Sequence, residues 1–344
     1  MHMADALLSP AVGATMWAGS VAAIGYSSKK LKENIDNKTI PLMGVMGAFV
    51  FAGQMINFTI PVTGSSGHIG GGMLLAIMLG PYAAFLALAS ILTVQALFFA
   101  DGGLLALGCN IWNMGVYPCF LAYPLIYKPI AGDGSSARRI SLAAMVSVVI
   151  ALQLGAFSVV LETLLSGKTE LPFGTFVLLM QPIHLAIGLV EGMITAGIIS
   201  YVRKARPEIL EATSISRPLE TGVSIKNILA AFIILAIITG GALSWFASTH
   251  PDGLEWSIEK VTGKAELEEA TQGIAPALRD IQEKIAFLPD YGFKPADNEQ
   301  SNENESSDWP GIETGTTVSG IIGGGIVLIF ILFIGFGIRL FKKQ

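Results

Sequence analysis

Two of the four histidines in this 344-residue chain stand where a metal ion could use them. His2 follows the first residue, and His68 lies in the glycine-rich run GSSGHIGGG. The α-amine of Met1, the backbone nitrogen of His2 and the His2 imidazole can close two fused chelate rings on one ion once the amide proton is displaced. That donor set is planar, and planar nitrogen coordination is the preference of Cu(II) and Ni(II) rather than of zinc. It leaves one corner open, which a neutral imidazole such as His68 can fill. Met1 is expected to remain in place, because its removal normally needs a small second residue. Only Met3, Ala4, Asp5 and Ala6 separate the histidine from an apolar run.

The elements that must position these residues are membrane helices. The chain is 52% hydrophobic and 14% charged, a balance outside that of water-soluble proteins. Apolar runs of about 20 residues cross a bilayer as helices, which satisfy their own backbone hydrogen bonds. The spans read as 7–27, 40–60, a short 72–80, 81–100, 103–127, 138–165, 173–202, 226–248 and 320–341. The expected fold is all-α: a polytopic bundle of six to seven core helices over 1–205, a cytoplasmic linker over 206–225, and a C-terminal two-helix hairpin over 226–344. Cys109 and Cys119 fall in one apolar span and read as buried, inert thiols. Residues 1–27 lack the basic start of a signal peptide, so an intact, outward-facing N-terminus is expected.

Of the 21 Lys and Arg residues, 15 fall on one side of these spans, which the positive-inside bias assigns to the cytoplasm. His2, the His68 loop and the 249–319 segment then share the outer side, and the C-terminus lies inside. Residues 249–319 hold fifteen acidic against five basic residues, a field that concentrates cations. The stretch ADNEQSNENESSDWP is too polar to bury much surface and reads as disordered.

Polar residues within membrane spans are functional candidates because they are costly there. Gln54, Asn57, Gln95, Asp101, Asn110 and Asn113 lie in or beside the outer ends of spans, and with Ser65 and Ser66 of the loop they could orient metal ligands by hydrogen bonding. His184 and Glu191 are seven apart on one helix face, fit for a proton or metal route or for polar contact between helices. Ala14, Ala18 and Ala22 form a small-residue stripe that lets another helix approach. LETLLSGKTE has Glu162 where a phosphate loop needs glycine, so any use of ATP must come from a partner. Nothing points to catalysis, a cofactor or nucleic acid.

Taken together, MH at the start, GSSGHIGGG, the run from Gln95 through ADGGLLALGCN, and PIHLAIGLVEG resemble the CbiM/NikM family, the substrate-capture subunits of energy-coupling-factor transporters for nickel and cobalt. HPDGLEWS and LPDYGFKP between two spans are similar to the family's small nickel-type companion subunit, here fused. The resemblance implies that Met1, His2 and His68 hold the ion, and that the subunit docks on a transmembrane coupling protein driven by a pair of ATPases. The stripe of Ala14, Ala18 and Ala22 would belong to that docking face. Nickel is favoured by the planar site, with cobalt the nearest alternative. A passive or proton-coupled carrier using His184 and Glu191 is the reading from another class, and a scaffold displaying the acidic segment is a third.

Overall fold

Ser9 and Pro10 set the first helix. The Ser9 hydroxyl accepts from the Val12 N–H and Pro10 occupies the first turn, so α1 runs over Pro10–Asn34 with its free donors satisfied at the start. A computed structural model describes residues 2–132, 134, 136–168, 170–214, 224–268, 271–294 and 314–342. Met1, residues 215–223 of the linker and the stretch ADNEQSNENESSDWP therefore lie outside the described residues.

The chain is built from helices, as its apolar runs require. After α1 come α2 (Thr39–Gln54), a hairpin of β1 (Phe58–Ile60) and β2 (Ser65–Gly67), the short α3 (Gly72–Leu79) and α4 (Pro81–Phe99). Next are α5 (Leu107–Ile111), a π-helix over Trp112–Tyr127, and α6 (Lys128–Ala131). Two long helices follow, α7 (Ala137–Leu165) and α8 (Phe173–Ala205), then α9 (Pro207–Ser214) and α10 (Lys226–Gly241). Beyond them lie α11 (Gly253–Thr262), α12 (Ala275–Ile285) and α13 (Thr314–Lys342). Among the described residues, four helices are long and apolar enough to cross a membrane: α4, α7, α8 and α13. The shorter α2 and α10 are apolar throughout.

Three boundaries differ from the sequence reading, each for a local reason. The run 40–60 leaves the helix after Gln54, because β-branched residues and Pro61 favour an extended hairpin. Its strands pair antiparallel, Phe58 with Gly67 and Ile60 with Ser65. The run 103–127 becomes helical only at Leu107, and it widens into a π-helix around Pro118 and Pro124. Those prolines cannot donate to the helix ladder, and the wider turn accommodates them. The run 226–248 stops at Gly241 and is followed by a 3-10 turn over Leu243–Phe246.

The core is formed by α2, α3, α4, the π-helix, α7 and α8, with Met43, Val50, Phe51, Phe85, Phe99 and Phe176 fully buried. Helix α13 packs on α2, α4 and α10, so the C-terminal hairpin lies against the bundle. Helix α11 packs on α8, and α12 on α4. The alanines at 14, 18 and 22 sit on the exposed face of α1; its opposite face packs on α5, where the Ser20 hydroxyl donates to the Gly108 carbonyl at 2.6 Å.

Candidate metal site

The segment before α1 is pinned to the turn between α4 and α5. The Met3 N–H donates to Asn110 Oδ1 at 2.8 Å, and Asn110 Nδ2 donates back to the Met3 carbonyl at 3.3 Å. Gly103 N–H also donates to the Met3 carbonyl at 3.0 Å, and Ala106 N–H to Asp5 Oδ1 at 2.9 Å. A side chain at 103 would stand 1.8 Å from the Asp5 carboxylate and 2.6 Å from its backbone nitrogen. Only glycine lets the two backbones come this close.

That anchoring sets the His2 ring against the His68 ring. Their centroids are 5.0 Å apart and their planes differ by 17°. His2 Nδ1 lies 2.8 Å from Asp101 Oδ1, while His2 Nε2 is buried with no hydrogen-bond partner among the described residues. His68 Nδ1 lies 3.0 Å from the Ile69 carbonyl, so it carries the proton and leaves Nε2 with its lone pair. Burial lowers the His68 imidazole to about 3, which keeps the ring neutral as a metal ligand must be. Burial raises the Asp101 carboxyl, but the adjacent His2 and the Tyr291 hydroxyl outweigh it and hold the group at about 2.

The His68 loop is held from beneath. Glu191 of α8 accepts from Gly70 N–H at 2.7 Å and Gly71 N–H at 2.8 Å. Gln54 Nε2 donates to the Gly70 carbonyl at 2.8 Å. Gly71 has φ +73, and a side chain there would strike Val50 at 2.4 Å, so the turn into α3 depends on it. Glu191 thus bonds a loop rather than a neighbouring helix. His184, on the same face, bonds the Met180 carbonyl of its own helix at 2.8 Å, and its Nε2 is buried without a partner among the described residues. Asn113 donates to the buried Glu162 carboxylate at 2.8 Å. Both cysteines are buried free thiols.

From above, the C-terminal part covers both histidines. Ser66 Oγ donates to the His250 carbonyl at 2.7 Å and Ser66 N–H to the Pro251 carbonyl at 2.8 Å. Trp256 Nε1 donates to the Thr63 carbonyl at 3.0 Å, and Ser248 N–H to the Asn57 carbonyl at 2.7 Å. The Ser65 hydroxyl donates to the neighbouring Ser66 carbonyl at 3.1 Å. Asp252 and Glu255 form a capping box that starts α11, and Asp252 shares a small cavity with His68 and His184. Gln95 Nε2 donates to the Tyr291 hydroxyl at 3.2 Å, and that hydroxyl donates to Asp101 Oδ2 at 2.5 Å. A cavity of about 330 Å³ opens beside His2, lined by Asp101, Asp252, Glu255, Glu266, Glu283, Asp290 and Arg279 among others. Burial, then the charge of Asp252, pushes the Glu255 carboxyl up to about 6. Asp252, Gln282 and Tyr291 escaped the sequence reading of the site. The one signal available was the Asp-Gly-Leu-Glu capping pattern within HPDGLEWS.

Apolar helices that set buried imidazoles at the foot of an acidic vestibule define a membrane transport protein. Residues 2–209 match the family model described as the CbiM cobalt uptake substrate-specific transmembrane region, and residues 226–340 match the PDGLE domain. The chain belongs to the CbiM family of nickel and cobalt uptake proteins, with a fused PDGLE part. A protein of Archaeoglobus fulgidus that carries the name of a fused nickel transport protein, NikMN, is 34% identical over 95% of this chain and 96% of its own. The fused nickel transport protein NikMN of Rhodobacter capsulatus is 29% identical over 85% of this chain and 88% of its own. A crystal structure of a transition metal transporter matches with a TM-score of 0.53 and 32% identity, covering 63% of this chain and 99% of that one. The chain is a membrane subunit for metal uptake.

Two outcomes follow. Glu191→Ala strands two buried N–H groups, at about 1–3 kcal/mol each, so the thermal midpoint in detergent should fall, and Glu191→Gln should recover part of the loss; an unchanged midpoint contradicts the anchoring. NMR of the His68 imidazole should show the neutral ring from roughly pH 8 down to about pH 5, with no midpoint near the ordinary value of about 6.5.

Proposed function

We propose that this chain captures Ni(II) outside the cell and delivers it to the cytoplasm as the substrate-binding subunit of an ATP-driven energy-coupling-factor importer. The observation that carries the reading is the His2 and His68 pair. Imidazoles on adjacent corners of a square, each nitrogen about 2 Å from the ion, have centroids roughly 4–5 Å apart. The two rings lie 5.0 Å apart and stacked, with planes 17° apart, so the spacing fits a shared ion once one ring tilts out of the stack to bring both lone pairs onto it. The Met1 amine and the His2 backbone nitrogen would supply the other two corners.

The stereochemistry adds a requirement. Only Nδ1 of His2 can close a chelate ring with its own backbone nitrogen, since Nε2 points away from the main chain. Nδ1 is held by Asp101 at 2.8 Å. Loading therefore needs the imidazole to turn half a revolution about Cβ–Cγ, which brings Nε2–H to the Asp101 side. Asp101 then fixes the tautomer from behind, the usual partnership of carboxylate and metal-bound imidazole.

Nickel is favoured over cobalt by planarity, and by the nickel transport names of the two fused relatives that span most of this chain. The cobalt transport protein CbiM of Sorangium cellulosum, 29% identical, aligns with 63% of this chain. In this reading 1–205 is the capture bundle, 206–225 a cytoplasmic linker, and 226–344 the companion hairpin. The N-terminus and residues 249–319 face outward, and the C-terminus faces the cytoplasm. The exposed stripe of Ala14, Ala18 and Ala22 docks on the transmembrane coupling subunit, and a pair of ATPase subunits supplies the energy. The chain itself performs no catalysis.

Inserting two residues before Met1 moves the amine out of the chelate, whereas a single added residue would leave the histidine third in the chain, where amine, two amide nitrogens and imidazole again close a planar set. Nickel titration with visible absorption should show one tight ion per wild-type chain, and loss of that band in the insertion variant, in His2→Ala and in His68→Ala. Tight binding that survives the insertion would sink the reading.

A further inference from the structure

Tyr291 reaches the metal site from a segment 190 residues away in sequence, and everything around it is arranged to aim one hydroxyl proton. Its ring stacks on Phe99 with centroids 5.0 Å apart. Asp290 and Tyr291 both adopt left-handed backbone conformations, with φ of 50 and 61, which non-glycine residues keep only where the surroundings enforce them. The Ser319 hydroxyl donates to the Tyr291 carbonyl at 2.8 Å. Gln95 Nε2 donates to the tyrosine oxygen at 3.2 Å, so the hydroxyl's own proton is left for Asp101 Oδ2, at 2.5 Å. The other oxygen of that carboxylate meets His2 Nδ1 at 2.8 Å. The same segment clasps the turn that carries Asp101: Gln282 Nε2 donates to the carbonyls of Ala96 and Gly102, both at 2.8 Å, and Leu288 N–H to that of Phe98 at 3.3 Å.

We infer that Tyr291 is a positioning residue for metal capture: its hydroxyl fixes the Asp101 carboxylate in place, so that Asp101 can receive the Nε2–H of the His2 imidazole once that ring has turned to bind the ion. The inference rests on the capture reading above. It gives the fused segment a specific task, since without it Asp101 has one anchor fewer and His2 one preferred orientation fewer. Loss of such an outer hydrogen bond typically costs 10- to 100-fold in metal affinity.

The test uses the full chain in detergent titrated with nickel chloride. Tyr291→Phe keeps the stacked ring and removes only the hydroxyl, and it should weaken nickel binding by about 10-fold or more with its nickel absorption band shifted. In an Asp101→Asn background the same substitution should add less than about twofold, because the partner it acts through is altered. Wild-type affinity in Tyr291→Phe overturns the inference, and so does an equal loss in both backgrounds, which would place the hydroxyl's effect elsewhere. Failure of the wild-type chain to bind nickel in one-to-one ratio would instead sink the capture reading itself.

Discussion

Two imidazoles can share one ion only if two separate backbones are held at fixed places, and that constraint organises this protein. The first is the segment before α1, fixed through Met3 and Asp5 to Asn110, Gly103 and Ala106. The second is the loop after β2, fixed through Gly70 and Gly71 to Glu191 and Gln54. Apart from one 3-10 turn over Asp5–Leu7, neither segment has a helix ladder of its own to hold it. The bundle beneath supplies the missing partners from buried polar side chains, which in an apolar interior bind strongly because leaving them unpaired is costly. The polar residues that looked expensive in the sequence are the clamps.

The C-terminal part gives this arrangement a roof. Residues 248–256 bond the hairpin that precedes His68, and residues 282–291 bond the turn that carries Asp101. Carboxylates line the opening above the histidines, so a divalent cation meets a field of favourable sign before it meets nitrogen donors. The roof also adds to the burial that keeps the His68 imidazole neutral.

Much of the architecture was legible in the sequence because it is periodic or compositional. Apolar run length marked α4, α7, α8 and α13, and glycine and proline at 80 and 81 marked the break between α3 and α4. His2 and His68 stood out as rare residue types beside small ones. The hairpin after α2 and the π-helix at Pro118 and Pro124 were not legible, since short extended pieces and widened turns leave no repeat. The roof contacts were invisible for a different reason. Tyr291 and Gln282 meet their partners across 190 and 180 residues, and such pairings are set by tertiary packing rather than by any local pattern. Glu191 was visible as a buried acid, but its role was open until the two glycine N–H groups appeared beneath the loop.

The account stands on one ion held flat by nitrogen atoms at the mouth of the bundle. X-ray absorption at the nickel K-edge of the loaded full-length protein reads this directly. It should show a four-coordinate, square-planar ion with nitrogen donors only. A six-coordinate spectrum dominated by oxygen would place the metal among the vestibule carboxylates instead, and would contradict the central claim.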